Sequence, residues 1–135
     1  MKQNNVIKLN HVKVVSIKKE ILKPNNPFLD KLYVPSAEGI HLVKKMDILR
    51  IESSGNYTHI FTKSLKKYTV SKTMKSVISK LEDDVFIRIH HSHVINASEI
   101  TFIGNSNIEL SDESILPMSR TYKSRIISLI EPIKY

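Results

Sequence analysis

The sequence has no cysteine, and only three glycines and five prolines occur among its 135 residues. The lack of cysteine excludes disulfide bonds, thiolate zinc sites and cysteine nucleophiles. No run of 18 apolar residues is present, and the first ten residues do not form the apolar core of a signal peptide. These absences predict a cytoplasmic protein without a membrane-spanning segment, whose single domain folds around one core without covalent cross-links.

Acidic residues are also in the minority. Lysine and arginine number 21 and aspartate and glutamate 13, which gives a net charge of +8 and an isoelectric point near 9.7. Residues 1–23 carry six lysines and one glutamate, and residues 57–81 carry six lysines and no acid. This distribution is typical of proteins that bind polyanions, nucleic acid first and anionic membrane second. A lysine-rich, solvated surface would have the same composition.

Short apolar runs with an alternating pattern dominate the chain. They include "GIHLV", "DILRIE", "YTHIFT", "KYTV", "VFIRI", "EITFI" and "NIEL", and "HVKVVSIK" at residues 11–18 has a similar pattern. Turn-forming residues separate several of these runs, as in Ser54-Gly55-Asn56 and at residues 104–107 and 111–114. Short strands at about ten-residue spacing predict a mainly β domain with antiparallel sheets.

Two segments have helical periodicity instead. Residues 71–83 offer Ser71 as an N-cap and an apolar stripe with positive charge on the opposite face. Residues 119–131 offer Ser119 as an N-cap and a second apolar stripe, which ends before Pro132. The sequence therefore predicts one helix inserted among the strands and one at the C-terminus.

The stretch "FIRIHHSHVINASEI" (residues 86–100) places an arginine and three histidines at the end of a predicted strand. A metal site would need three or four converging ligands, and the neighbouring acids lack the spacing to supply them. A two-histidine phosphoesterase would need a second HxS or HxT motif besides His90-His91-Ser92, and none occurs. We therefore expect no catalytic residue, no metal and no cofactor. Such side chains on a loop rim can instead contact bases and phosphates.

Three segments together resemble the LytTR DNA-binding domains of bacterial transcription regulators. They are "VPSAEGIHLVKKMDILRIESSGNYTHIFT", "FIRIHHSHVINASEI" and "IELSDESILPMSR", and the resemblance covers most of the chain after residue 30. It implies an elongated fold of antiparallel β-sheets with little helix, which binds duplex DNA through loops that enter successive major grooves. The positions that it implies at the DNA are Thr58, His59, Arg88, His91, Ser92 and Arg120.

Nearby lysines complete the predicted interface, because Lys72, Lys75 and Lys123 are expected to hold DNA phosphates. Many family members carry arginine at the position of His91, so we expect a different base preference or affinity there. The interpretation is a cytoplasmic, non-enzymatic, response-regulator-like protein that binds paired half-sites in promoter DNA, with two copies able to pair on the duplex. Two alternatives stay open: a basic module that binds anionic lipid or a protein partner, and a phosphodiesterase that uses His90 and His91.

The sequence also suggests a division of the chain. Residues 1–30 are interpreted as a basic N-terminal extension with one strand and a loop, and residues 31–135 as the LytTR-like DNA-binding domain. The receiver domain that often precedes LytTR domains is much longer than residues 1–30. We therefore expect either a stand-alone DNA-binding protein or a fragment of a longer regulator.

Overall fold

The computed structural model describes residues 26–132, which contain ten strands and two α-helices. In chain order they are β1 (Lys31–Ser36), β2 (Gly39–Lys44), β3 (Ile48–Ser54), β4 (Tyr57–Thr62), β5 (Lys67–Val70), α1 (Met74–Ser79), β6 (Phe86–His90), β7 (His93–Asn96), β8 (Ile100–Ile103), β9 (Asn107–Leu110), β10 (Ile115–Pro117) and α2 (Arg120–Ser128). The strand proposed for "HVKVVSIK" lies outside the described residues. The division at residue 30 stays a prediction.

The strands form three sheets. The largest has five strands in the order β5-β4-β3-β7-β6, a second has three in the order β10-β9-β8, and β1 pairs with β2. Every pairing within the five-stranded and three-stranded sheets is antiparallel. This arrangement confirms the predicted mainly β fold, with one helix inserted among the strands and one at the C-terminus. Neither helix in residues 26–132 has the length and apolar character needed to cross a bilayer.

The five-stranded sheet has a core on each face, because successive residues of a strand point to opposite faces. On β7, Val94 contributes to the core beside α1, and the next residue, Ile95, contributes to the core beside α2. The α1 core comprises Leu32, Val34, Val43, Ile48, Ile51, Ile60, Val70, Met74, Val77, Leu81 and Val94. The α2 core comprises Leu49, Ile89, Ile95, Ile108, Leu110, Leu116, Met118 and Ile126. Truncating one of these isoleucines to alanine costs about 2–5 kcal/mol of stability.

The predicted start of the inserted helix is wrong. Helix α1 begins at Met74 rather than after Ser71, and its N-cap is Thr73, whose hydroxyl accepts a hydrogen bond of 3.0 Å from the Ser76 amide. The reason is a tertiary contact, because the Lys72 carbonyl accepts a hydrogen bond from a side chain of β4 and holds the connection outside the helix. The helix is also shorter than predicted.

The second helix begins where the sequence indicates. Ser119 is the N-cap residue of α2, but its hydroxyl makes no capping hydrogen bond, and its buried oxygen has no partner. The backbone amide of Ser119 donates to the carbonyl of Ile89 on β6 at 2.8 Å, which attaches the start of the helix to the sheet. The α2 helix ends at Ser128, three residues before the predicted end.

Candidate nucleic-acid interface

One end of the five-stranded sheet brings together segments that are far apart in the sequence. The amide of Ser53, beside the β3–β4 turn, donates to the carbonyl of Ser92 in the β6–β7 turn at 3.0 Å. The pairing of Thr58 with Val70 places the end of β5 beside the same β3–β4 turn. The connection from β5 to α1, residues 71–73, therefore begins next to both turns.

The start of α2 and the β8–β9 turn lie at this end as well. Ser119 is attached to Ile89, the residue before the last position of β6. The amide of Met118 donates to the carbonyl of Ser106 in the β8–β9 turn at 3.0 Å. We call residues 54–57, 71–73, 91–92, 104–106 and 119–123 together the basic end. They contain no aspartate and no glutamate.

Four of the predicted phosphate- or base-contacting cations lie at or beside the basic end. Lys72, Lys75 and Arg120 are exposed, and Lys123 is partly exposed. The Lys123 ammonium donates to the Asn105 carbonyl at 3.2 Å, so it lies over the β8–β9 turn. With no acidic residue in these segments to neutralise them, their charges add to a local positive potential.

The β6–β7 turn consists of His91 and Ser92. One terminal guanidinium nitrogen of Arg88 donates to the His91 carbonyl at 2.9 Å, and the Ser92 amide donates to Nδ1 of His90 at 3.1 Å. The His91 side chain is exposed, and its Nε2 lies 3.1 Å from the hydroxyl of Ser92. The backbone of the turn is thus held from within the protein, and its two side chains remain at the surface.

Arg88 has two roles open to it in this geometry. The hydrogen bond to His91 uses one terminal nitrogen and orients the turn, while the side chain remains exposed. A guanidinium has five N–H donors, so others remain for a base or a phosphate. The sequence predicts the second role alone, because the turn contact depends on the folded hairpin.

Behind this turn lies a half-buried histidine with a shifted pKa. His93 on β7 has Nδ1 3.8 Å from a carboxylate oxygen of Glu52, and this buried nitrogen makes no hydrogen bond. Burial lowers the pKa of His93 from its ordinary value of 6.5, and the attraction of Glu52 opposes the shift without reversing it. The Glu52 carboxylate is 2.8 Å from the guanidinium of Arg50, which further disfavours a charged His93. His93 is therefore harder to protonate than a free imidazole, and its ring lies 5.5 Å from that of His90.

The β3–β4 turn is built differently. Gly55 has a φ of +59°, and Asn56 follows it without a positive φ, which is the φ pattern of the two-residue type II′ turn. Tyr57 is 53% exposed beside this turn. Tyr57 is not among the site residues predicted from the sequence, although an aromatic residue after a Gly-Asn turn is a visible signal.

Thr58 is not a surface residue, and its predicted contact with DNA is a misplacement. Its side chain is fully buried, and its hydroxyl donates to the Lys72 carbonyl at 2.6 Å. The alternation along β4 turns Thr58 towards the α1 core and His59 towards the other face. His59 is partly exposed, and its Nδ1 lies 2.8 Å from the Thr69 hydroxyl. Thr58 therefore supports the connection that carries Lys72.

The histidines do not form a metal site. The rings of His90 and His91 lie 4.6 Å apart and those of His90 and His93 5.5 Å apart. Across residues 26–132, no group of three or more histidine and carboxylate side chains is arranged to hold a metal ion. The predictions that the protein has no catalytic residue and no cofactor remain predictions.

Known proteins with similar sequences or folds are LytTr domains and regulators. Residues 38–131 match the LytTr DNA-binding domain family. The sensory transduction protein LytT of Bacillus subtilis (strain 168) is 32% identical over 105 residues, 74% of this chain and 43% of LytT. The heme-containing CO-sensing transcriptional regulator RcoM 2 of Paraburkholderia xenovorans (strain LB400) is 27% identical over 108 residues, 76% of this chain and 40% of RcoM 2. The chain thus spans less than half the length of both relatives.

A solved structure shows the same fold. It is the LytTr DNA-binding domain of a methyl-accepting/DNA response regulator from Bacillus cereus, which matches with a TM-score of 0.63 and 21% sequence identity. The match covers 74% of this chain and 95% of that domain. The family match, which extends over more than half of the chain, confirms the resemblance carried by the three sequence segments. The chain belongs to the LytTr DNA-binding domain family.

Proposed function

We propose that this protein is a sequence-specific transcriptional regulator whose basic end faces duplex DNA. The observation that carries the proposal is the basic end itself, where five segments distant in sequence meet without a single acidic residue. A surface of this kind attracts phosphates, and the turns that project from it are narrow enough to approach base edges. One of the two relatives, RcoM 2, is a transcriptional regulator, which supports the same function.

The proposed contacts fall into two groups, one that binds DNA phosphates and one that contacts base edges. Lys72, Lys75 and Lys123 hold phosphates, because a lysine ammonium is a mobile point charge. Arg88, His91, Ser92 and Arg120 read bases, because guanidinium, imidazole and hydroxyl groups can donate to purine and pyrimidine edges. His59 lies in the third residue pair from the turn, opposite Glu52, so we propose that it contacts DNA from the flank of the basic end.

The arrangement of the segments suggests which of them enter the grooves. The β3–β4 turn and the start of α2 lie on opposite sides of the β6–β7 turn, since strand order places β7 and β6 between them. We propose that these two outer segments enter successive major grooves, with the β6–β7 turn between them. We propose that the protein acts in the cytoplasm on promoter DNA. A footprint of this kind would leave room for a second copy of the protein on a neighbouring half-site.

The test is selection of binding sites from a randomised duplex pool, followed by affinity measurements on the selected duplex and on a scrambled one. A preference of at least about 10³-fold for the selected duplex is expected of a specific regulator. No enrichment, combined with binding to vesicles that contain anionic lipid, would support the lipid-binding alternative. Hydrolysis of a phosphodiester substrate would support the phosphodiesterase alternative.

Paired half-sites can be tested on the same selected sequence. If two copies bind cooperatively on one face of the duplex, inserting about five base pairs between half-sites rotates one copy to the other face. Cooperativity should then fall, and an insertion of about ten base pairs should restore part of it. A binding curve that is independent of spacing would indicate separate monomers.

A further inference from the structure

We propose that His90 is a positioning residue whose unprotonated Nδ1 holds the β6–β7 turn in its DNA-binding shape. The inference deepens the proposed function, on which it rests, because the residues that His90 positions are His91 and Ser92. His90 itself is only partly exposed at the end of β6, and its Nδ1 accepts a hydrogen bond from the turn that follows it.

The turn needs such support because its backbone is not the one that two-residue hairpins favour. Those hairpins use type I′ or II′ turns, in which at least one central residue has a positive φ. Neither His91 nor Ser92 has a positive φ, unlike Gly55 in the neighbouring β3–β4 turn. The register between β6 and β7 also shifts between Arg88 and His90. Side-chain hydrogen bonds are therefore required to hold this turn.

Three backbone groups of the turn have identified partners. The His91 carbonyl accepts from Arg88 at 2.9 Å, and the Ser92 carbonyl accepts from the Ser53 amide at 3.0 Å. The Ser92 amide donates to His90 Nδ1 at 3.1 Å. Of these three hydrogen bonds, the one to His90 alone depends on the protonation state of its partner.

The chemistry of imidazole makes this hydrogen bond conditional. A ring nitrogen accepts a hydrogen bond only when it carries no proton, so His90 must be the neutral tautomer with its proton on Nε2. In the imidazolium form Nδ1–H would face the N–H of Ser92, and two donors would oppose each other. Protonation of His90 should therefore release the turn and weaken DNA binding.

The surroundings of His90 are mixed in charge. His91 in the turn and His93 on β7 have rings 4.6 and 5.5 Å from the His90 ring. Glu52 and Arg50 on β3 form an ion pair next to His93. Arg88 extends from β6 itself, and Arg120 begins α2, which is attached to β6 through Ile89.

The expected pH dependence has the opposite sign from that of His91. The exposed His91 is expected to bind DNA better when protonated, because the duplex is a polyanion, so its contribution raises affinity as pH falls. Binding that requires an unprotonated His90 loses affinity as pH falls, by up to about tenfold per pH unit for one proton. The two effects can be separated only when one of the two histidines is replaced.

The experiment uses the full chain with His91→Arg, which removes the titration of residue 91 and keeps a donor there. Its affinity for the selected duplex should fall between pH 8 and pH 5.5. Adding His90→Asn should give affinity within about threefold at high pH and should remove the acid loss, because asparagine accepts from the amide two residues on and cannot be protonated. Adding His90→Ala should weaken binding about 3- to 10-fold at every pH.

Two outcomes would overturn the inference. One is a His90→Asn, His91→Arg protein that keeps the full acid loss, and the other is a folded His90→Ala, His91→Arg protein that binds as tightly as the His91→Arg protein. Nitrogen NMR of the free wild-type chain provides a measurement without DNA. It should show His90 protonated on Nε2 at pH 8 and a shift of the Ser92 amide when His90 titrates. If Nδ1 carries the proton at pH 8, the inference is wrong even when the selected duplex is bound. If no duplex is preferred but the NMR result holds, the proposed function fails and the turn geometry stands.

Discussion

The two ends of the five-stranded sheet differ in the arrangement of charge rather than in the number of lysines. The basic end has no acidic residue, whereas the opposite end, formed by residues 45–47, 63–66, 83–85, 97–99 and 111–114, mixes lysines with acids. Its acidic residues are Asp47, Asp83, Asp84, Glu99, Asp112 and Glu113. There the Lys63 ammonium lies 3.4 Å from the Glu99 carboxylate. Within residues 26–132, it is therefore the segregation of positive charge to one end, rather than its total, that indicates a polyanion partner.

The largest expected effect is that of salt. If about five cations at the basic end each displace a counterion, raising the salt concentration fourfold should weaken binding by roughly 500-fold. Replacing Lys72, Lys75 and Lys123 together by alanine should lower the slope of log K against log salt by up to about three. The matched control replaces Lys45, Lys63 and Lys66 at the opposite end and should leave the slope unchanged. If the two triple variants have equal slopes of log K against log salt, the basic end does not bind the phosphates any more than the opposite end does.

The next largest expected effect on DNA affinity is that of removing the Arg120 side chain. Arg120→Ala should cost about 1–3 kcal/mol on the selected duplex and much less on a scrambled one, because a base contact discriminates between sequences. Lys66→Ala at the opposite end is the control and should change neither affinity. A similar loss for Arg120→Ala on both duplexes would assign Arg120 to the phosphates instead. The measurement is a fluorescence anisotropy titration at fixed salt.

Thr58 tests how the basic end is supported. Thr58→Val keeps the shape of the buried side chain and removes the hydrogen bond of 2.6 Å to the Lys72 carbonyl. The free energy of unfolding in urea should fall by about 1 kcal/mol, and DNA affinity should fall through misplacement of residues 71–73. Thr69→Val removes an exposed hydrogen bond, the one of 2.8 Å to His59, and should change stability by less than about 0.5 kcal/mol. Unchanged stability of Thr58→Val would remove its supporting role.

The smallest expected effect concerns His93. Its pKa is lowered in the folded state by burial, so below pH 6.5 the unfolded chain takes up a proton that the folded chain resists. Stability should therefore fall as pH decreases from about 6.5, with a slope of at most about 1.4 kcal/mol per pH unit. His93→Phe should make this decline shallower, while His41→Gln on the exposed β2 strand is the control. A decline that is the same in all three proteins would contradict the lowered pKa of His93.

Local patterns were sufficient to predict much of this fold. The alternation in segments such as "YTHIFT" identified β4, and three motifs at the right spacing identified the family. Helix starts were harder, because Ser71 and Thr73 are both good caps and the choice between them depends on a contact from Thr58. That contact joins residues 14 positions apart and has no signature in the local sequence.

The site was predicted less well than the fold for a related reason. The side-chain direction of Thr58 depends on the register of β4, and a shift of one residue exchanges the two faces of a strand. The support that His90 gives to Ser92 depends on the backbone angles of the turn, which the letters "HHSH" do not reveal. By contrast, Arg88, His91 and Ser92 stay predictions, made because their sequence neighbours mark the end of a strand.

The hydrogen bond from Ser53 to Ser92 has a consequence for how a binding site can vary. It joins the two turns across the central strand pair, where strands lie about 4.8 Å apart, so the turns are held roughly 10 Å from each other. The start of α2 is attached to the same sheet through Ser119 and Ile89, so the two segments proposed to enter successive major grooves keep a fixed separation, whereas those grooves are about 34 Å apart only in undistorted DNA. Any mismatch must then be absorbed by bending or twisting of the duplex. Base steps that the protein never touches would thereby influence affinity through their stiffness.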